Sequence, residues 1–341
     1  MKLAILVILA VTPAIVHAQP SRKEILAREV DDYVKTVHAA ATTFLNKKLP
    51  AADRLKAMEP HSTIYDDKQV QQFEAAVRDD SEPPEIRAMA LDKIVRSVPG
   101  DDRLRQLQQD WLGNPQAPRV LRLQALAVEA NLQFSSMNTP ELYQKLLDDP
   151  ELAIKIFAYT RLVIHGDARA QQRLIGGLES PDKAGIPAPT AIGILSMALK
   201  KEYYPAVYKV LQQTKDEATR LEAIRALGFY PEARPALIVI SRDDKEKEVH
   251  REAALGALYA GDRDNIVQYV TPLLSGAAAS PRLQGIAIQM TIDVRQSSAY
   301  RTKAKKADSY DRLIQRLARE PGNPDVQRIA NRYLLAVRPR Y

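Results

Sequence analysis

A short residue pattern that returns every 30–35 residues is the feature of this sequence that most restricts its fold. Each copy has a basic residue, then two variable positions, then a small and an apolar residue. Clear copies start at Arg87, Arg122, Lys155, Arg220, Arg251 and Arg282, and weaker copies start at Arg54, Thr190 and Arg328. This period fits one helix–turn–helix unit, so the sequence predicts an array of stacked helix pairs. The last step, from 282 to 328, spans 46 residues and indicates an insertion.

The residues between the anchors predict how each unit is built. Apolar residues recur at helical spacing almost throughout, and only 13 glycines occur. We expect the first helix of each unit to carry the anchor, with its small residue where two helices approach closely. Gly100-Asp101, Gly166-Asp167 and Gly261-Asp262 mark the turns. Glycine there would end one helix in the left-handed conformation, and aspartate would cap the next.

Two stretches carry a family resemblance, DEATRLEAIRALGFYPEARPALIVI (216–240) and EVHREAALGALYAGDRDNIVQYVTPLL (248–274). They resemble HEAT repeats of the short type that also occurs in phycobilisome lyases, and the likeness extends over roughly residues 50–340. It implies an all-α fold, a right-handed α-solenoid of stacked helix pairs whose second helices line a concave surface. The unit at Thr190 departs from the pattern because it lacks the basic anchor. The lyase branch implies an enzyme or a bilin-type chromophore binder as an alternative.

The N-terminus predicts export. Lys2 precedes an apolar run from residue 3 to about 16, and Val16 and Ala18 are small residues before an expected cleavage at Gln19. Residues 1–18 are therefore interpreted as a cleavable signal peptide of a periplasmic or secreted protein. An uncleaved anchor is the alternative, but the run is shorter than the roughly 20 residues that span a bilayer. The sequence has no cysteine, so it predicts neither a lipoprotein nor disulfides.

The remaining chain is expected to comprise an N-terminal capping helix (19–49), HEAT-like repeats (50–295), a basic insertion loop (296–310) and C-terminal capping helices (311–341). The formal net charge is +7, and residues 295–341 hold twelve basic and four acidic residues. The candidate binding residues at this end are Tyr300, Arg301, Lys303, Lys305, Lys306, Arg312, Arg316 and Arg319. They indicate an anionic polymer or a membrane surface as partner, or only a solvated outer face. Nucleic acid is disfavoured because no nucleic-acid module accompanies the charge.

Tyrosines supply the second group of candidate partner-binding residues, Tyr203, Tyr204 and Tyr208. They lie close together in one predicted second helix. Because adjacent residues of a helix cannot both face the same core, we expect Tyr203 or Tyr204 to be partly exposed. Exposed tyrosines suit protein interfaces, whereas tyrosines packed between repeats are the alternative.

Catalytic and metal-binding patterns are missing from the sequence. The four histidines after the predicted cleavage point are far apart, and neither a Gly-x-Ser-x-Gly nucleophile elbow nor a glycine-rich phosphate loop occurs. We therefore expect no catalytic residue, metal or cofactor, and a chain that is not an enzyme. The leading prediction is an exported scaffold that binds a protein or peptide on its concave face. The alternative is an electrostatic binder of an anionic envelope polymer or membrane through the basic C-terminal end.

Overall fold

The computed structural model describes residues 22–64, 66–97, 102–131, 140–180, 183–276, 279–296, 309–319 and 322–337. All regular structure in these residues is helical, and the helices pack in neighbouring pairs, which confirms the predicted all-α fold class. The chain divides into two compact units, residues 1–133 and 134–341. The repeat region expected at 50–295 is thus shared between two units. None of the helices in the described ranges is both long and apolar enough to span a membrane.

The first unit contains six described helices. These are α1 (Arg22–Leu45), α2 (Ala51–Met58), α3 (Asp67–Arg78), α4 (Pro84–Ser97), α5 (Asp102–Gly113) and α6 (Arg119–Asn131). The segment expected to cap the N-terminal end contains α1. Its C-terminal half places Val37, Ala41 and Phe44 in the core, where Phe44 stacks on Phe73 with ring centroids 4.8 Å apart. The predicted signal peptide lies outside the described residues.

The second unit contains twelve described α-helices. These are α7 (Pro140–Leu146), α8 (Leu152–Ile164), α9 (Ala168–Glu179), α10 (Ala188–Ser196), α11 (Tyr204–Gln213), α12 (Glu217–Ala226), α13 (Arg234–Arg242), α14 (Glu248–Gly261), α15 (Ile266–Ser275), α16 (Pro281–Gln296), α17 (Ser309–Arg319) and α18 (Pro324–Val337). Short 3-10 turns, Pro231–Ala233 and Arg263–Asn265, precede α13 and α15. Most of the predicted basic loop at 296–310 lies outside the described residues.

The anchor helices are the even-numbered helices, and each packs against the helix that precedes it. The anchor therefore lies on the second helix of each close pair, not on the first as the sequence pattern indicated. Within each unit, successive anchor helices also pack against one another. Their small residues allow this approach: Ala90, Ala125, Ala158, Ala223 and Ala254 are almost fully buried. At the equivalent Gly285, an added Cβ would lie 3.0 Å from the Ile329 side chain of α18.

Five of the anchor arginines stabilise the end of the preceding helix. Arg54 donates from Nε to the Phe44 carbonyl oxygen at 2.6 Å, and Arg251 donates from Nε to the Ser241 carbonyl oxygen at 3.3 Å. Equivalent bonds join Arg87 to Val77, Arg122 to Leu112 and Arg220 to Leu211. The last carbonyls of a helix have no partner within that helix, and a cation favours the negative end of its dipole. In these five copies the repeated basic residue is thus a structural cap between paired helices.

Of the four predicted turn residues that the structure describes, two have the predicted role and two do not. Gly166 has a φ of 82°, as the left-handed prediction requires, and Asp167 caps α9 by accepting from the Ala170 backbone N–H at 2.8 Å. Asp262 instead accepts from the Asn265 side chain and the Tyr269 hydroxyl. Gly261 is the last residue of α14 and owes its identity to close packing. The turn at Gly100-Asp101 lies outside the described residues.

The anchor Arg220 pairs with Glu246, and we expect the contribution of this pair to stability to be lost in acid. Its Nη2 donates to Glu246 at 2.6 Å, and the buried His250 contacts the same carboxylate at 2.7 Å. Burial, the largest influence, raises the pKa of Glu246, but hydrogen bonds from Arg220 and His250 outweigh it and hold that pKa below its ordinary value. Because the folded pKa is depressed, the stabilisation is complete above the unfolded pKa of about 4.3 and is lost as the pH falls through the folded pKa.

We therefore expect Glu246→Gln to cost about 2 kcal/mol at neutral pH, the value of a hydrogen bond to a charged group. The difference in Tm between the wild type and this variant should be constant above about pH 5 and shrink at lower pH. Thermal unfolding followed by circular dichroism between pH 3 and 7 measures this. Asp244→Asn, in the same exposed turn, is the control and should leave Tm unchanged. A difference in Tm that stays constant down to pH 3 would contradict the assignment of this stabilisation to the ionised Glu246 carboxylate.

Candidate protein-binding surface

The tyrosines singled out in the sequence form a cluster in the second unit. Tyr204 and Tyr208 are one turn apart on α11, and Tyr203 directly precedes that helix. Tyr230, from the turn between α12 and α13, joins them: its ring stacks on Tyr204 at a centroid distance of 5.1 Å and meets Tyr208 edge-on at 6.0 Å. Through Tyr203 and Tyr204 at the start of α11, the cluster therefore joins the turn before α11 to the turn between α12 and α13.

The expectation that Tyr203 or Tyr204 is exposed is wrong. Both side chains are buried, and their ring centroids are 4.6 Å apart. Tyr203 occupies the N-cap position, so its side chain does not follow the helical direction that separates adjacent residues inside a helix. Burial raises the pKa of Tyr203 well above its ordinary value, with Tyr204 adding to the effect, so the hydroxyl remains neutral. Tyr203 and Tyr204 are core residues, and only Tyr208 of the three is half-buried.

Large apolar side chains are exposed on the two turns that this cluster joins. Leu199, between α10 and α11, is 75% exposed, and Met197, at the end of α10, is 45% exposed. Phe229, between α12 and α13, is 66% exposed and directly precedes Tyr230. We name Met197, Leu199, Tyr208, Phe229 and Tyr230 the turn patch. Sequence reasoning missed Met197, Leu199, Phe229 and Tyr230.

The turn patch has a rigid support. Val207 and Leu211 of α11 are buried in the core, and so is Leu227, just before the second turn. Lys201 donates to the Ser196 carbonyl oxygen at 3.2 Å and lies over the Tyr203 ring, which closes the first turn. The apolar side chains of the turn patch are therefore carried by well-packed turns.

The basic candidates are only partly visible in the structure. Arg312, Arg316 and Arg319 lie on one exposed face of α17, as their spacing of four and three residues predicts. Tyr300, Arg301, Lys303, Lys305 and Lys306 lie outside the described residues. The described structure therefore places three of the basic candidates on one helix face. In the sequence, they lie far from the residues of the turn patch.

Polar side chains in the described residues form structural contacts. His250 touches the Glu246 carboxylate and, at 3.4 Å, the Glu217 carbonyl oxygen. Tyr269 donates to Asp262, and burial together with this bond raises the pKa of Tyr269 to about 12. No group of three or more histidine, aspartate or glutamate side chains in the described ranges could hold a metal ion. These polar groups are therefore assigned structural roles, and the turn patch is taken as the candidate binding surface.

Comparisons with known proteins add little to this picture. No family model matches the chain, and no curated protein matches it. Among solved structures, the chain is similar to human deoxyhypusine hydroxylase in complex with glycerol, with 15% sequence identity and a TM-score of 0.30. The match covers 92% of this chain and 99% of that chain. The HEAT-like assignment therefore stays a prediction that rests on the repeat pattern and the helix pairs.

The comparison corrects one expectation. The sequence was interpreted as that of a chain that is not an enzyme, whereas the matched structure is that of a hydroxylase. The missing catalytic motifs therefore do not exclude catalysis. The likeness is too weak to assign a reaction, a cofactor or a catalytic residue to this chain.

Proposed function

We propose that this chain is an exported interaction scaffold that binds an apolar segment of a protein or peptide partner at the turn patch. The observation that carries the proposal is the exposure of Leu199 and Phe229, at 75% and 66%, on two turns joined by stacked tyrosines. Export is proposed from the signal-like residues 1–18.

Their position distinguishes these side chains from ordinary exposed apolar residues, because stacked tyrosines join the two turns that carry them. Single exposed apolar residues are normal on a protein surface, whereas adjacent ones mark interaction sites. The neighbouring Tyr208 and Tyr230 are half-buried and rigidly packed. Rigid aromatic rings lose little conformational entropy on binding, and such residues dominate interface energetics. The turn patch thus combines exposed apolar anchors with a preformed aromatic support.

The chemistry of the turn patch indicates a partner that supplies apolar side chains. The exposed ionisable residues beside it are of both signs, Lys200 and Lys201 against Glu202 and Glu232. A mixed rim of this kind does not select a strongly charged ligand, so we expect binding that persists at physiological ionic strength.

The test compares two double variants of the chain that lacks residues 1–18. Leu199→Ser with Phe229→Ser removes the exposed anchors. Val239→Ser with Leu152→Ser removes equally apolar exposed side chains from α13 and α8. Affinity capture from the envelope fraction of the source organism identifies the partner, and titration calorimetry measures its affinity. We expect the patch variant to weaken binding by about 2 kcal/mol or more, roughly 30-fold, and the control to bind as the wild type does.

Two results would contradict the proposal. A partner that binds the patch variant and the wild type with equal affinity would place the binding surface elsewhere. An equal loss of partner affinity in both double variants would show that exposed apolar residues contribute to binding wherever they lie on the surface. Circular dichroism of each variant excludes unfolding as the cause of a loss.

A further inference from the structure

The apolar stripe of α1 continues beyond the core of the first unit. Val37, Ala41 and Phe44 of this stripe are buried, with exposures of 0–1%. Leu26 and Val30 precede them on the same helix face, because the steps from 26 to 44 are four, seven, four and three residues. Leu26 is 52% exposed, and Val30 is 61% exposed. One face of α1 is therefore covered in its C-terminal half and exposed in its N-terminal half.

The buried part of the stripe ends near Tyr33. The Tyr33 ring meets the ring of His61, from the turn after α2, at a centroid distance of 6.1 Å. Tyr33 itself is 43% exposed. The four consecutive residues before it, 29–32, are all exposed, so every side of the helix faces solvent there. The helices that pack on the second half of α1 therefore do not cover the first half.

The spacing of the exposed residues fits a second helix. Leu26, Val30 and Tyr33, which we name the α1 stripe, follow at steps of four and three residues. This is the heptad spacing at which two helices pack side by side, each with an apolar seam toward the other. A second copy of the chain offers such a helix through the same face, and that pairing gives a twofold-symmetric dimer.

The charges of α1 favour a second copy in the antiparallel direction. Residues 22–28 hold three basic residues and one acidic residue, a net charge of +2, whereas residues 29–35 hold one basic and three acidic residues, a net charge of −2. The second count includes Lys35, which pairs with Asp31 and Asp32 in its own helix. An antiparallel pair brings the basic segment of each copy beside the acidic segment of the other, whereas a parallel pair opposes like charges.

We propose that two copies of this chain associate through the N-terminal halves of their α1 helices, packed antiparallel. The register that unites both features sets Leu26 of each copy against Val30 of the other. The α1 stripe belongs to the first unit and the turn patch to the second, so the inference goes beyond the proposed partner binding. A dimer carries two turn patches and therefore favours a partner with repeated binding segments.

Analytical ultracentrifugation of the chain that lacks residues 1–18 measures this association. Because the interface is small, we expect a reversible monomer–dimer equilibrium with a Kd on the order of 10–100 µM. Leu26→Ser with Val30→Ser should weaken it by about 100-fold or more, since each substitution removes an apolar side chain from both copies. The control, Leu152→Ser with Val239→Ser, removes exposed apolar side chains from α8 and α13 and should dimerise as the wild type does.

Disulfide cross-linking tests the direction of the pair, and the chain contains no cysteine that would interfere. Leu26→Cys and Val30→Cys are prepared as separate variants and are oxidised alone and as an equal mixture. The antiparallel register predicts that the mixture gives mainly the heterodimer, because positions 26 and 30 face each other across the pair. Homodimers of each variant that form more readily than the heterodimer would indicate parallel helices and overturn the proposal.

Two further results would overturn it. A wild type that stays monomeric at about ten times the expected Kd would assign the α1 stripe to a different occupant. Equal association of the wild type and the Leu26→Ser, Val30→Ser variant would place the dimer contact elsewhere. Circular dichroism and the fluorescence of Trp111, in the same unit as α1, show whether each variant is folded.

Discussion

Replacing Gly261 by alanine is expected to destabilise the second unit by about 3 kcal/mol or more, at the upper end of the range for overpacking. A Cβ added at Gly261 would lie 1.6 Å from the carbonyl oxygen of Gly228 and 2.5 Å from its carbonyl carbon. A Cβ at Gly228 would in turn lie 2.7 Å from the Ala257 carbonyl oxygen. Because backbone atoms cannot rotate away as a flexible side chain can, the end of α14 and the turn after α12 would have to separate.

Gly256 in the same helix is the matched control for this prediction. Among the described residues, no atom outside the neighbouring backbone of α14 lies within 4 Å of a Cβ added there. Gly256→Ala should therefore stabilise α14 by about 0.5–1 kcal/mol through helix propensity. In thermal unfolding followed by circular dichroism, Gly261→Ala should lower the Tm relative to the wild type, and Gly256→Ala should raise it. Since a unit of this size shifts by roughly 2–4 °C per kcal/mol, Gly261→Ala should lower Tm by roughly 6–12 °C. A loss below about 0.5 kcal/mol, within the ordinary range for a surface substitution, would show that the end of α14 and the turn after α12 are not in contact.

Glu82→Gln should destabilise the first unit by about 3–5 kcal/mol. Glu82 accepts two bonds from Arg54, at 2.7 and 2.9 Å, and both side chains are almost completely buried, with 4% and 3% exposure. Glutamine preserves the shape but removes the charge, which leaves the guanidinium of Arg54 buried without a counterion. Such a loss is large because the desolvation penalty of the remaining charge is no longer offset.

The next repeat supplies the control for this pair. Arg87 contacts Asp80 at 2.6 Å, but the Asp80 side chain is 89% exposed, so Asp80→Asn should cost no more than about 1 kcal/mol. Trp111, the single tryptophan of the chain, lies in α5 of the first unit, so its fluorescence during urea unfolding reports on this unit. If the two variants lost equal amounts of unfolding free energy, burial would not determine how much the ion pair of an anchor arginine stabilises the protein.

The repeat period predicts the helices because helical periodicity and turn residues are local in sequence. It does not predict what the anchor arginine contacts, since the carbonyl that Arg54 or Arg251 caps belongs to another helix. The pattern was therefore interpreted as the mark of a first helix, whereas the structure places it on the second helix of a pair. Gly261 is a second example. Its place at a helix end is visible in the sequence, but its contact with the backbone of Gly228 is not.

The candidate site was predicted less well than the fold. The tyrosine cluster was located, but its exposed neighbours, Leu199 and Phe229, were not. Each of them follows a helix end, where the apolar period that distinguishes buried from exposed positions stops. Tyr203 and Tyr204 were misjudged for the same reason, because Tyr203 is an N-cap residue and not a residue inside the helix.

The sequence by itself determined the all-helical class and the repeating helix pairs, and it predicts export from residues 1–18. These follow from periodicity, turn residues and composition, which act over a few neighbouring residues. Only the tertiary structure decided which side chains are exposed, because the residues that cover a position are distant in the sequence, as with Tyr204 and Tyr230, which are 26 residues apart. It also decided that Asp311 points inward to Arg295, a residue of another helix.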